Sequence, residues 1–143
     1  MNKAHGLPPI VIPEDDYGRL SFMATVSRMG RRQPPSGTAL AEELDRASVV
    51  PTTEVPDSVV TMGSTVEFRD DDTGRISSVT IVYPEEDAHD RGLLSVLTPL
   101  GAALIGLSEG QSICWRSAVG DRRNLTVLHV SRAPTPSSQI AAD

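Results

Sequence analysis

Side chains that carry chemistry are scarce in this chain of 143 residues. Aromatic residues make up 3% of it: Tyr17, Phe22, Phe68, Tyr83 and Trp115. A core must therefore be built mainly from Val, Leu, Ile and Ala, which argues against a pocket lined with rings. There is one cysteine, Cys114. A single thiol forms no internal disulfide, which fits a reducing compartment. Its place between Ile113 and Trp115 predicts a buried position on a strand. The three histidines, His5, His89 and His129, stand at no metal-ligand spacing, and one Cys with scattered His makes no zinc pattern. No Gly-x-Ser-x-Gly motif occurs. Gly101, Gly106 and Gly110 lack the lysine of a phosphate cradle. Cys114 and His129 would make a nucleophile and base, but no third group is in place to orient them. No apolar run reaches the length of a membrane span, and Met1 to Gly6 leads to no signal-like apolar run. The expectation is a cytoplasmic protein, away from membranes, with neither a metal nor a cofactor.

Positive charge is also in deficit. Thirteen Lys and Arg face nineteen Asp and Glu, for a net charge of −6. Residues 1–55 are nearly balanced, with seven acids and six bases, whereas residues 56–132 hold eleven acids and seven arginines. Duplex binding rests on neutralising phosphates, so an acidic domain is a poor phosphate binder and direct sequence-specific contact with nucleic acid is disfavoured. Asp70-Asp71-Asp72 and Glu85-Glu86-Asp87 invite a divalent-cation reading, but the spacing and the later acid of a calcium loop are missing. A solvated turn accounts for such runs.

What is present is a pattern of elements. Ile10-Val11-Ile12 is a short extended run. Pro13 followed by Glu14, Asp15 and Asp16 suits a helix start, predicting a first helix to about Met29. Tyr17, Leu20 and Ala24 form one apolar set on it. Phe22, Val26 and Met29 form a second, which predicts packing on more than one neighbour. Residues 30–37 form a loop carrying Arg31 and Arg32. Leu40, Leu44 and Ala47 then share one face of a second helix, capped by Ser36 or Thr38. The two helices, ~14 and ~11 residues long, make a short antiparallel hairpin whose longer arm spans ~20 Å. Residues 49–58 read as a connector kept extended by Pro51 and Pro56. Strands follow: Thr65–Arg69, with Val66 and Phe68 on one face; Ile76–Tyr83, with Val79, Ile81 and Tyr83 together; Ser112–Trp115; and Leu125–Val130. Asp70–Gly74 and Gly120–Arg122 are turns, Pro84–Gly92 is an acidic loop, and 133–143 a flexible tail.

The segment Leu93–Gln111 stands apart. Between Ser95 and Ser108 no residue is charged, and only Thr98 has a side-chain hydrogen-bonding group. It reads as a short strand, a turn at Thr98-Pro99 and a buried helix ending near Gly106. Such a segment packs or docks; it does not catalyse. The whole is α+β: a short N-terminal antiparallel helical hairpin, then an antiparallel sheet with one short helix.

Several motifs, in order, carry a resemblance. Val59–Val66, the Asp-Thr-Gly turn at 72–74, Ile81-Val82-Tyr83-Pro84, Leu94–Leu107 and Gly110 resemble the C-terminal domain of bacterial Gre transcript-cleavage factors. Ala41–Ala47, the Val-Val-Thr-Met run and Trp115 resemble a narrower group, the regulators of nucleoside diphosphate kinase. The resemblance covers residues 10–132 and implies an FKBP-like fold for 51–132, after an N-terminal segment and hairpin over 1–50. It implies binding to RNA polymerase near its secondary channel. In Gre factors a globular domain docks on the polymerase rim, and a coiled coil carries acids that hold magnesium at its tip. Here Gly30–Gly37 contains no Asp or Glu and carries Arg31 and Arg32, so cleavage stimulation is not carried over. The positions matching the Gre docking loop are Leu97, Thr98 and Pro99, followed by Leu100. Proline and hydroxyl are kept and the acid is lost. Prolyl isomerisation does not follow from the fold, since Phe68, Tyr83 and Trp115 are too few to line its pocket.

The expectation is a monomeric, non-enzymatic transcription regulator that binds RNA polymerase through Leu97–Leu100, competes with Gre factors and partly blocks the channel with a tip at Arg31 and Arg32. The alternatives are a transcript-cleavage or elongation factor, and a regulator of nucleoside diphosphate kinase acting through another protein.

Overall fold

The computed structural model describes residues 8–28, 38–117 and 119–132. Arg31, Arg32 and the loop expected around them lie outside the described residues, as do Met29 and the tail 133–143. The chain opens with strand β1 (Ile10–Pro13), helix α1 (Glu14–Arg28), helix α2 (Thr38–Asp45) and strand β2 (Ala47–Val50). Strands β3 (Ser64–Asp70), β4 (Ile76–Val82) and β5 (Leu93–Ser95) follow, then helix α3 (Pro99–Leu104) and strands β6 (Ser112–Arg116) and β7 (Arg122–Arg132). Two sheets result. β1 and β2 pair in parallel, from Ile10 opposite Ala47 to Pro13 opposite Val50. The larger sheet runs β5-β4-β3-β7-β6. The architecture is α+β. Among the described residues no helix is long and apolar enough to cross a membrane.

Four expectations need correction. Ala47 is not on the second helix. That helix stops at Asp45, Arg46 makes a turn, and Ala47-Ser48-Val49-Val50 pairs with β1. The β-branched pair Val49-Val50 favours a strand once an edge is available, and that edge lies 37 positions upstream, beyond any local pattern. The second apolar set of α1 is not packed: Phe22 is 69% and Val26 50% exposed, while Leu20 and Ala24 are buried. The large sheet is not wholly antiparallel, because β5 runs parallel to β4, with Ile81 opposite Leu94. Its crossover, Pro84–Gly92, holds two short 3-10 turns. Finally, β7 is longer than Leu125–Val130 and carries a bulge: Glu67 faces His129, but Phe68 faces Val127. The extra residue shifts the inward parity, so Leu125, Val127 and Val130 are all buried.

The acidic turn after β3 is held by its own carboxylates. Asp70 accepts from the N–H groups of Asp72 and Thr73 and pairs with Arg123 of β7. Asp71 accepts from Thr126 Oγ1 at 2.7 Å and Arg69 Nε at 2.8 Å, and Asp72 accepts from the Asn124 N–H at 3.0 Å. The hydrogen bond from Arg123 holds the Asp70 carboxyl below its ordinary pKa, and the one from Thr126 does the same for Asp71. These acids fasten a turn to a strand. Among the described residues no three His, Cys, Asp or Glu side chains gather as a metal site would require.

One core joins both ends of the chain. Ile10, Ile12, Leu20, Leu40 and Leu44 are buried in the same cluster as Val66, Ile81, Leu104, Leu107 and Val127. The backbone seals the joint at Gly106. The Gly106 N–H donates to the Val60 carbonyl at 2.9 Å, and its own carbonyl accepts from the Val11 N–H at 3.1 Å. Further along α1, burial pushes the Asp16 pKa up, against the opposing pull of the Met62 N–H. Arg19 lies 3.6 Å over the Tyr83 ring and pairs with Glu85 at 2.6 Å.

Candidate docking surface

The segment from β5 into α3 is built around Ser95. This buried residue donates its N–H to Asp87 Oδ1 at 2.7 Å, and its hydroxyl accepts from the Leu97 N–H at 3.0 Å. Its carbonyl accepts from both the N–H of Thr98, at 3.1 Å, and the Thr98 hydroxyl, at 2.7 Å. Thr98 is the N-cap of α3, and its Oγ1 accepts from the Gly101 N–H at 3.0 Å. Pro99 then takes the first helical position, where a missing N–H costs nothing. Gly101, Ala102, Ala103 and Leu104 are buried. The sequence-predicted residues Leu97, Thr98, Pro99 and Leu100 are thus one half-buried ledge at the start of α3, with Leu97 and Leu100 packed partly on the core.

Thr98 has a structural role on this ledge, because its hydroxyl both donates and accepts within the fold. Thr98→Val keeps the shape and removes the cap. The expected cost is about 1 kcal/mol in urea denaturation, with the ledge loosened more than the sheet when amide exchange is followed. Unchanged exchange at Gly101 would count against the cap.

Beside Pro99 lies a groove of about 260 Å³ between α2, α3 and β6, lined among others by Glu42, Pro99, Cys114, Trp115, Arg116 and Arg122. No sequence pattern announced it, since its walls come from three separated stretches. Cys114 is a free thiol here and only half-buried, against the buried position expected, because β6 is the outer strand of the sheet. Cys114 and His129 are not brought together as nucleophile and base. Cys114 stands opposite Asn124 in the β6–β7 ladder, while His129 Nδ1 lies 3.1 Å from Glu109 Oε2. Glu43, on the α2 wall, pairs with Arg46; burial nevertheless raises its pKa. Of the three aromatics weighed for an isomerase pocket, Phe68 is in the core, Tyr83 lies under Arg19, and Trp115 flanks the groove.

The globular part of the molecule is thus a five-stranded sheet with one short capped helix. Residues 55–132 match the family described as transcription elongation factor GreA/GreB, C-terminal, and residues 8–50 match the Rnk N-terminus. A solved structure of a prokaryotic transcription elongation factor GreA/GreB from Nitrosomonas europaea superposes with a TM-score of 0.65 at 34% identity, over 87% of this chain and 98% of that one. Transcription elongation factor GreA of Syntrophobacter fumaroxidans is 34% identical over 91 residues, 64% of this chain and 58% of that protein. The regulator of nucleoside diphosphate kinase of Escherichia coli K12 is 37% identical over 127 residues, 89% of this chain and 92% of that protein. The chain belongs to the regulator of nucleoside diphosphate kinase family, with a Gre-type C-terminal region.

Proposed function

We propose that the protein is a non-enzymatic transcription regulator that binds RNA polymerase near its secondary channel and competes there with Gre factors. The reading takes residues 51–132 as an FKBP-like docking domain and the helices before it as a short antiparallel hairpin. The observation that carries it is the ledge Leu97–Leu100. The fold spends five hydrogen bonds around Ser95 and Thr98 to present Leu97, Pro99 and Leu100 in one fixed shape, in a region matching the GreA/GreB C-terminal family. With no acid on the ledge, the contact is more apolar than in Gre factors. The magnesium that Gre factors hold at the coil tip does not fit here. A hard cation needs oxygen ligands, and Gly30–Gly37 offers no carboxylate. No cleavage step is therefore assigned, and Arg31 and Arg32 are the groups that the tip would bring to the channel mouth.

The test is binding of the purified protein to core RNA polymerase, with and without excess Gre factor, together with a cleavage assay on a backtracked complex. Binding that the Gre factor displaces is expected, with no stimulated cleavage. Leu97→Ser with Leu100→Ser should weaken binding at least tenfold, about 1.4 kcal/mol, with the fold checked by circular dichroism. No binding at micromolar protein would sink the reading. The name of the Escherichia coli relative supports a second one, an effect on nucleoside diphosphate kinase through another protein, and kinase activity in the protein's presence would be its measure.

A further inference from the structure

The outer edge of the large sheet holds two arginines that no carboxylate neutralises among the described residues. β6 is the edge strand, and its Arg116 stands directly opposite Arg122 of β7. Like charges so placed cost stability. Five other arginines find carboxylates, Arg19 with Glu85, Arg46 with Glu43, Arg69 with Asp71, Arg123 with Asp70 and Arg132 with Asp57, whereas Arg75 and Arg91 have no ion pair among the described residues but stand apart from each other and from the groove. Arg116 reaches only the Gly120 carbonyl, at 3.3 Å, and Arg122 only the Cys114 sulfur, at 3.9 Å. Neither has an ion pair among the described residues, in a chain of net charge −6.

Both arginines line the groove beside Pro99. Its apolar lining is Pro99 and Trp115 with small alanines, and two carboxylates of α2 also line it, the exposed Glu42 and Glu43, which Arg46 neutralises. At about 260 Å³ it is smaller than the ~300–1,000 Å³ of pockets for drug-sized ligands, and suits one inserted side chain. The lining charges select among anions. A phosphate backbone drawn to the arginines would meet Glu42 and the acidic domain around it. A protein segment can set its carboxylates on Arg116 of β6 and Arg122 of β7, an apolar side chain against Pro99, and keep negative charge away from α2.

We propose that this groove is the second half of the docking surface and takes an acidic segment of RNA polymerase, with an apolar side chain inserted beside Pro99 and its carboxylates on Arg116 and Arg122. The proposal rests on the polymerase-binding reading above, since Pro99 belongs to both surfaces. It adds charge recognition to a ledge that has none, and it uses α2 together with α3 and β6.

The test compares core polymerase binding by the full-length protein, by R116E/R122E, and by the charge-matched R75E/R91E, whose sites do not line the groove. In parallel, iodoacetamide alkylation of Cys114, the chain's only thiol, is followed by mass spectrometry of its peptide with and without polymerase. R116E/R122E is expected to bind at least tenfold more weakly and R75E/R91E nearly as the unaltered protein, while bound polymerase slows alkylation of Cys114 several-fold. If R116E/R122E binds like the unaltered protein, or no more weakly than R75E/R91E, or Cys114 reacts equally fast in both states, the groove proposal falls and the ledge reading stands. If the unaltered protein does not bind, both fall. Should R116E/R122E melt early, the alkylation rate of the unaltered protein decides.

Discussion

Gly101→Ala should destabilise the protein by about 3 kcal/mol, a large part of the ~5–15 kcal/mol that holds a domain of this kind, and lower the melting temperature by about 10 °C. The cost is steric, because Gly101 has ordinary helical geometry, with no positive φ to explain it. A methyl there would land on the Ser95 carbonyl oxygen and lie 2.9 Å from Val96 Cα. Both neighbours are backbone, so no side chain can swing away. The carbonyl it strikes is the one that accepts the N–H and hydroxyl of Thr98, so relief of the clash must break the cap of α3 and move the ledge. Gly63 is the control. It has φ of +87° but open space around its α-carbon, so Gly63→Ala should cost only the ~1–2 kcal/mol of a left-handed backbone. Urea denaturation followed by circular dichroism measures both. A Gly101→Ala variant within 0.5 kcal/mol of the original protein would show that Ser95 and α3 are not in the close contact described.

The short buried helix after Thr98-Pro99 was legible in the sequence because its signals are local: a proline opens it, and the uncharged run behind it has no other place than the core. The turn expected at Thr98-Pro99 is the helix's own N-cap and first position, and Leu97–Leu100 are singled out by the resemblance to the Gre docking loop, not by local pattern. Val66 with Phe68, and the turn at Asp70–Gly74, were legible for the same reason. Long-range pairing decided the rest. Nothing beside Ala47 says that Ile10 waits for it in a parallel pair, so the residue continues the helical period of Leu40 and Leu44 on paper and leaves the helix in the fold. Phe22 and Val26 have the right spacing for a packed face, but period alone does not say whether a partner exists. Arg116 and Arg122 are unremarkable in sequence. Only the β6–β7 register sets them opposite each other and beside Pro99.

The second large effect is expected from the opposite end of the chain. Ile10→Ala with Ile12→Ala should bring the protein close to unfolding, at ~2–5 kcal/mol for each side chain, although the two sites share neighbours and their costs will not add strictly. Ile10 is 1% and Ile12 0% exposed. A β-carbon built on Gly106 would lie 2.8 Å from the Ile10 β-carbon, so β1 is set directly against the turn that ends α3. The consequence is cooperative. Trp115 on β6 is far along the chain from these substitutions, yet its fluorescence should be lost in the same transition as the helical circular dichroism, in the original protein and at lower urea in the variant. A helical signal that melts alone, with Trp115 unchanged, would mean two independent units. The shared core has a functional side as well. The helices before residue 50 are built into the domain that carries Leu97–Leu100, so docking of the ledge would also fix the direction in which α1 and α2 point. A variant that loosened β1 while keeping the ledge would then still bind polymerase, but with the direction of α1 and α2 no longer fixed.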